Sequence, residues 1–485
     1  MSATPHSRAA ADDAGSDGGS EARSDAGSGA GYGAGSGAAS ASGAGSRAVP
    51  APAADSPFAS FGAGLDRSIA RGLRRACENV LGPYQSAIVR IGFSLTWLLY
   101  LLREFPHRDE LYGPDSPWGF DLAKRLIAGN HAFSVLMWSD SRAWFELVYA
   151  LAIAASVTLL LGWRTRTSAL LFMVGVLSLQ NRSVFVGDGG DNVVHIMAIY
   201  LAFTRCGRVW SLDRRWALRQ EGRAEKAEQA EQAERAEQAE RGERAESAPR
   251  FADPIGIALW AVLGAALIAA CLAGKLSTGW AVIFWACWAG QAVWWAVRRY
   301  APGEPRSVLD IMGNIVHNGA MLVIAAEVCL IYSTAGWYKI QGSRWQDGTA
   351  LYYPLHLDDF TPWPALSHAL AGSAIMVMLI TYGTVIVQVA FPFTLFNRRV
   401  KNVLLCLMML EHASIAIVLG LPFFSLAMIA ADSVFLPTGF LIWAASRAAG
   451  LLRPGAGSAE TAIPEQRPPG GTEPAVGRPP AGAVS

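Results

Sequence analysis

The sequence predicts an all-α, polytopic transmembrane helix bundle of about ten spans with disordered N- and C-terminal tails, and three observations carry that expectation. Apolar residues make up 52% of the chain and charged residues only 16%, with a positive mean hydropathy, a balance suited to a lipid solvent. The apolar residues gather in runs near 20 residues, the length that crosses a bilayer core at about 1.5 Å per residue. Between and beyond those runs lie short arginine-rich turns, one charged repeat, and two ends rich in small residues.

Residues 1–75 are largely Gly, Ala and Ser with scattered Asp and Arg. Such a stretch buries too little apolar area to offset chain entropy, so it reads as a disordered cytoplasmic tail. No basic start followed by an apolar stretch and a cleavage site occurs there, so no signal peptide is expected. The apolar runs lie at approximately 84–103, 144–163, 167–184, 192–207, 254–274, 279–297, 312–338, 369–396, 402–420 and 422–445. The third and fourth are short and are interrupted by the polar stretch NRSVFVGDGGDN. Irregular backbone of that kind is tolerated at membrane depth only where protein or water surrounds it.

These runs divide the chain into a four-span part over 80–215, a charged spacer over 216–250 and an inserted hydrophobic hairpin over 251–310. A second four-span part follows over 311–448, then a Pro- and Gly-rich tail over 449–485. The spacer repeats Ala-Glu-x every third residue from Ala224 to Ser247. Its residues favour helix, but a period of 3.0 winds alanine around the helix and forms no coiled-coil seam, so it reads as a solvated spacer.

Charge orients the bundle. Arg67, Arg71, Arg74 and Arg75 precede the first run, Arg164 and Arg166 fill a short turn, and the side where the fourth run ends receives Arg205, Arg208, Arg214 and Arg215. Arg298, Arg299 and Arg306 follow the sixth, while Arg398, Arg399 and Lys401 follow the eighth. With ten spans all of these share one side with both termini, which the positive-inside rule makes cytoplasmic in a cell membrane. The long loop 104–143 departs from the rule, since Arg108, Lys124, Arg125 and Arg142 fall outside, accompanied by Glu104, Asp109, Glu110 and Asp115.

Several function classes are excluded at this level. A net charge of +1 without basic clusters interleaved with aromatics argues against a nucleic-acid partner. The six cysteines are scattered with no C-x-x-C, which fits reduced structural thiols. No H-x-x-x-H or comparable ligand spacing supports a metal, and no G-x-S-x-G, Walker or Rossmann pattern stands between a strand and a helix. Paired Gly- or Pro-broken spans, the mark of a transporter, are also not evident.

Ionisable groups inside spans are costly and so either face a polar interior or mark a function. The candidates are His195, His317, Glu327, Lys339, Glu411 and His412, with Asp188, Asp191 and Asn192 just before the fourth run. Lys339 stands where a long apolar run meets the aromatic, polar segment YSTAGWYKIQGSRWQDGTALYY. A lysine there either snorkels to the interface as an anchor or, desolvated, becomes a proton acceptor. The topology gathers Lys339, Asp188, Asp191, Asn192 and His195 at the outer leaflet. Glu411 and His412 point about 100° apart, so at most one should face a shared cavity. His317 lies over 30 Å from Lys339 by helical rise, and Glu327 about 18 Å below it, better placed for packing between helices.

Four ordered segments resemble the HTTM family, bacterial relatives of the vitamin K-dependent γ-carboxylase. They are AIVRIGFSLTWLLYL, RSVFVGDGGDNVVHIMAIYLAF with VWSLDRR behind it, STAGWYKIQGSRWQDGTALYY, and EHASIAIVLGLPFFSLAMIAADSVFLP. Together they cover roughly residues 80–445. The resemblance implies a quinol-dependent carboxylase or epoxidase whose base, matched by Lys339, acts on reduced vitamin K or menaquinone. Oxygen would be consumed, the epoxide formed, and carbon dioxide added to a glutamyl side chain. It further implies His412 as a polar partner, twelve residues before Phe424 and Ser425. Trp337, Tyr338 and Trp345 are candidate walls for the quinone ring, with Asp347, Asn192 and His195 as further binding candidates. The partners implied are membrane lipid, a lipid quinol and a small exported peptide. Two departures stand out: the family's eukaryotic carboxylase has a large luminal C-terminal part that is missing here, and the 216–310 insertion has no counterpart. A second reading therefore stays open, a non-enzymatic membrane partner or maturation factor for an exported peptide.

Overall fold

The structure is a computed structural model that describes residues 57–241, 253–301 and 303–451. Every regular element among them is helical. The expected tails fall outside these residues over 1–56 and 452–485, as does the end of the spacer from 242. From Leu65 onward the helices belong to one folding unit.

In chain order the helices are α1 (Pro57–Glu78), α2 (Pro83–Glu104), α3 (Arg108–Tyr112), α4 (Phe120–Asn130), α5 (Arg142–Leu161), α6 (Thr165–Arg182) and α7 (Gly189–Leu201). The spacer forms α8 (Leu212–Arg241), and the inserted hairpin forms α9 (Pro254–Leu272) and α10 (Thr278–Tyr300). There follow α11 (Glu304–Gln341), α12 (Ser343–Gln346), α13 (Pro364–Ala371), α14 (Ala374–Ala390), α15 (Arg398–Val418), α16 (Pro422–Asp432) and α17 (Thr438–Leu451).

Among the described residues, seven helices are long and apolar enough to cross a membrane: α2, α5, α9, α10, α11, α14 and α15. The remaining three expected spans differ for local reasons. Helix α7 has only 13 residues because Asp188 caps it late, its carboxylate accepting from the Gly190 and Asp191 amides while Asp191 returns a bond to the Asp188 amide. Helix α6 reaches 18 residues but closes on Gln180, Asn181 and Arg182. The last run breaks at Pro437 into α16 and α17. The eighth run also starts late: Pro364 begins the separate α13, and Ser373 caps α14. At the N-terminus, 57–75 is helix and not part of a tail.

The core is built from α2, α5, α6, α7 and α16, with α11, α14 and α15 packed along it. Small residues set the closest crossings. A Cβ on Gly92 would lie 2.5 Å from the Ala430 Cβ, and one on Gly190 would lie 2.5 Å from the Phe424 Cα, so α16 sits directly on α2 and α7. Arg90, fully buried, donates to the Leu160 carbonyl at 2.8 Å and the Trp210 carbonyl at 2.7 Å, satisfying the C-terminal end of α5. Asp213 accepts from the Arg164 and Thr165 amides at 2.7 and 2.8 Å and so fastens the start of α6. The arginine of the first span and the acid of the WSLDRR segment are thus architectural.

The hairpin α9–α10 is peripheral. Trp260 and Trp288 stack at 4.0 Å, and each indole donates to the other's backbone carbonyl. A bidentate pair from Arg164 to Asp253, at 3.0 and 2.6 Å, ties its entrance to the α5–α6 turn. That guanidinium holds the Asp253 carboxyl below the usual carboxylate range.

Candidate functional site

Gly336 and Lys339 are three residues apart and share one face of α11. A Cβ on Gly336 would approach Val389 Cγ2 to 2.5 Å, so glycine allows α11 and α14 to cross closely at that point. The crossing brings Lys339 Nζ to Gln388 Oε1 at 2.6 Å, and Gln388 Nε2 donates to Glu411 Oε1 at 2.7 Å. Three helices thus contribute a line of lysine, glutamine and glutamate side chains among apolar neighbours. The amide orientation follows from its partners: oxygen toward the lysine, nitrogen toward the glutamate.

The segment after Lys339 folds back over it. Asp347 accepts from the Thr349 amide at 2.9 Å and from its hydroxyl, and these bonds hold its carboxyl below the usual range. Gly348 follows with φ of 77°, a left-handed conformation that favours glycine, and packs on Met378 and Tyr382. Tyr382 donates to the Gln346 carbonyl at 2.8 Å. The turn docks on α14 and sets the Trp345 ring 5.2 Å from Lys339 Nζ.

A second buried group lies alongside, formed by α11, α15 and α16. The Tyr332 hydroxyl donates to both oxygens of Asp432 at 3.0 Å and meets His412 Nε2 at 3.0 Å. With the tyrosine proton directed at the carboxylate, His412 Nε2 is the donor to the tyrosine oxygen, and Nδ1 is left as an acceptor. That Nδ1 is buried without a partner, and so is the Ser425 hydroxyl one helical step beyond Phe424. The Phe424 ring stands 5.5 Å from the His412 ring. Glu411 and His412 point apart as helical geometry requires, yet both are engaged, one on Gln388 and the other on Tyr332.

The remaining sequence candidates fall elsewhere. His195 Nδ1 lies 2.8 Å from Gln180 Oε1, Asn192 reaches the Asp188 carbonyl, and Asp188 and Asp191 cap α7. Gly189 lies against the Phe424 ring, so this loop braces α16 instead of meeting Lys339. Trp337 and Tyr338 are 63% and 77% exposed, pointing away from the lysine line, and therefore do not wall it. Asp347 is a turn residue with Arg344 at 3.4 Å. Glu327 receives the Tyr200 hydroxyl at 3.4 Å, a packing contact between helices. No group of metal-ligating side chains occurs among the described residues.

Three participants escaped the sequence reading. Gln388 was legible in principle, as a lone amide in the apolar stretch TVIVQVAF. Tyr332 and Asp432 each sit inside a segment quoted above, but only the fold pairs them, 100 residues apart.

The chain matches no family model, no curated protein and no solved structure.

Proposed function

We propose that this chain is a membrane-embedded, quinol-dependent carboxylase or epoxidase in which Lys339 accepts the hydroquinone proton at the outer leaflet. The observation that carries the reading is the line Lys339, Gln388, Glu411 among apolar helices beside a histidine with an unpartnered acceptor nitrogen. An anchoring lysine keeps its charge in water. This one gives its end group to a buried amide instead.

The residues fit a hydroquinone headgroup. Lys339 Nζ, beyond its bond to Gln388, and the unpartnered His412 Nδ1 would meet its hydroxyls, the Ser425 hydroxyl would offer a further polar contact, and Trp345 would offer a ring face. A bound hydroquinone supplies reducing electrons and an acidic hydroxyl. As an amine, Lys339 donates one N–H to Gln388 and keeps its lone pair for that proton. Once protonated, its charge is met by the Gln388 carbonyl dipole and, through the amide, by Glu411. Gln388 and Glu411 are therefore positioning residues, and the apolar helices exclude competing water.

Both termini and the spacer are placed in the cytoplasm and the 342–363 segment outside. A reporter fused after Gln346 should then read outside, and one near Glu237 inside; the opposite pattern would remove the outer site. For the chemistry, the purified protein receives reduced menaquinone or vitamin K, oxygen, labelled bicarbonate and a glutamyl peptide. Epoxide or labelled peptide should form, and Lys339→Ala should lower turnover by about 100-fold or more, the scale of a general base. No turnover with any quinol sinks the enzyme and leaves the maturation partner.

A further inference from the structure

At the opposite end of α11, two guanidinium groups from different elements converge on one indole, and two further arginines lie near them. Arg166, in the first turn of α6, places its Cζ 4.1 Å from the Trp294 ring centroid. Arg205, just after α7, places its Cζ 4.9 Å from the same ring. Arg298, one helical turn beyond Trp294 on α10, and Arg208, in the loop after α7, lie within electrostatic reach of Arg166. Arg208, itself exposed, lies within electrostatic reach of Arg205, Arg214 and Arg298.

The cluster is under-neutralised. Arg205 bonds Asp310 at 2.9 Å and Asn314 at 2.6 Å, in space left by Gly313, where a Cβ would lie 2.7 Å from the guanidinium. Asp310 also lies 3.9 Å from Arg306. Arg166, Arg208 and Arg298 have no hydrogen-bonded carboxylate among the described residues. Like charges drawn to one place repel, and a group of opposite sign would offset that repulsion. An aromatic face supplies part of that, and an oxyanion with several acceptor oxygens would supply the rest.

Location identifies the source of the oxyanion. The four arginines sit where α6 begins, α7 has ended and α10 runs out, the level at which these apolar helices would leave the hydrocarbon of a bilayer. The hairpin beside them is the least enclosed part of the bundle, with none of the α10 window and 11% of the α9 window buried. A lipid can therefore lie against it. We infer that Arg166, Arg205, Arg208 and Arg298, arranged around Trp294, form a binding site for the phosphodiester headgroup of an anionic phospholipid, held between the α9–α10 hairpin and the main bundle. The inserted hairpin is then one wall of a lipid site, and this inference does not depend on any quinol chemistry.

The test uses the full chain, delipidated in neutral detergent, with phosphatidylglycerol, phosphatidylcholine or inorganic phosphate added separately. Native mass spectrometry counts retained lipid, and thermal unfolding reports the phosphate arm. Phosphatidylglycerol should be retained in preference to phosphatidylcholine, and the Arg166→Gln, Arg208→Gln, Arg298→Gln triple variant should lose that preference by roughly tenfold or more. Arg399→Gln, which removes an exposed cation elsewhere, should keep it. If the triple variant does not fold, the exposed Arg298→Gln alone should weaken retention several-fold. Equal retention in wild type and variant, or an equal loss in Arg399→Gln, overturns the site. A thermal shift with inorganic phosphate as large as with phosphatidylglycerol overturns the lipid assignment in favour of a free anion.

Discussion

Helix α11 carries a polar network near each end, and the two are built to opposite specifications. Near its N-terminus the Arg205 amide donates to His317 Nδ1 at 2.9 Å, and His317 Nε2 donates to the Leu81 carbonyl at 3.0 Å. Asn314 and Asn318 donate to the carbonyls of Cys77 and Ala76. Both histidine nitrogens are used, much of the network is backbone, and the result clamps the α1–α2 joint to α11. Near the C-terminus His412 spends one nitrogen and keeps the other, while Lys339 bonds a side-chain amide and no backbone. A network that closes on the backbone stabilises the fold. One that leaves buried donors and acceptors open has capacity for a further partner.

The contrast breaks first under mutation of the two cations. Arg205→Ala strips Asn314 and Asp310 of their shared partner and should cost about 3 kcal/mol in detergent unfolding. Lys339→Met, which leaves Gln388 Oε1 without its donor, should cost less, about 1 kcal/mol, while abolishing quinol turnover. A reversed ranking would mean that the lysine end is the structural one.

Smaller effects sharpen the comparison. Gly336→Leu should push α11 away from Val389 at a cost of about 1–3 kcal/mol, and lower activity by lifting Lys339 from Gln388. Unchanged quinol turnover in Gly336→Leu would disconnect the crossing from the proposed site. Tyr332→Phe should cost about 1–3 kcal/mol, because it leaves Asp432 and His412 Nε2 unpaired. An unchanged midpoint would show that the two do not depend on the hydroxyl.

The smallest expected effect is one of pH. Arg164 lowers the Asp253 pKa in the folded state, so the pair contributes stability above the unfolded carboxylate value near 4 and loses it as pH falls through the lower folded value. Unfolding followed from pH 7 to below 4 should show a slightly steeper acid limb in wild type than in Asp253→Asn. Identical limbs would show that the bridge does not tether the hairpin.

The sequence made the helices legible because lipid imposes one periodicity and one length on any helix that crosses it. Their ends were less legible, since Asp188, Ser373 and Pro437 act through local hydrogen bonds and ring geometry that a hydropathy window averages away. Lys339 and His412 were visible as ionisable groups in apolar runs, and Trp345 as part of the loop behind the lysine. Their partners were not, because Gln388 and Asp432 reach them only through helix crossings set by Gly336, Gly92 and Gly190. The aromatic pair Trp337 and Tyr338 shows the reverse error: adjacency to Lys339 along the chain suggested proximity to the site, whereas helical rotation turns them outward.

The most direct test places the two ends of α11 side by side. Thermal midpoints of wild type, Lys339→Met and Arg205→Ala are measured in detergent with and without a short-chain menaquinone. A quinone-dependent rise of several degrees should appear in wild type and Arg205→Ala and vanish in Lys339→Met. An equal rise in Lys339→Met, or none in wild type, would contradict the assignment of a quinone site to the lysine end.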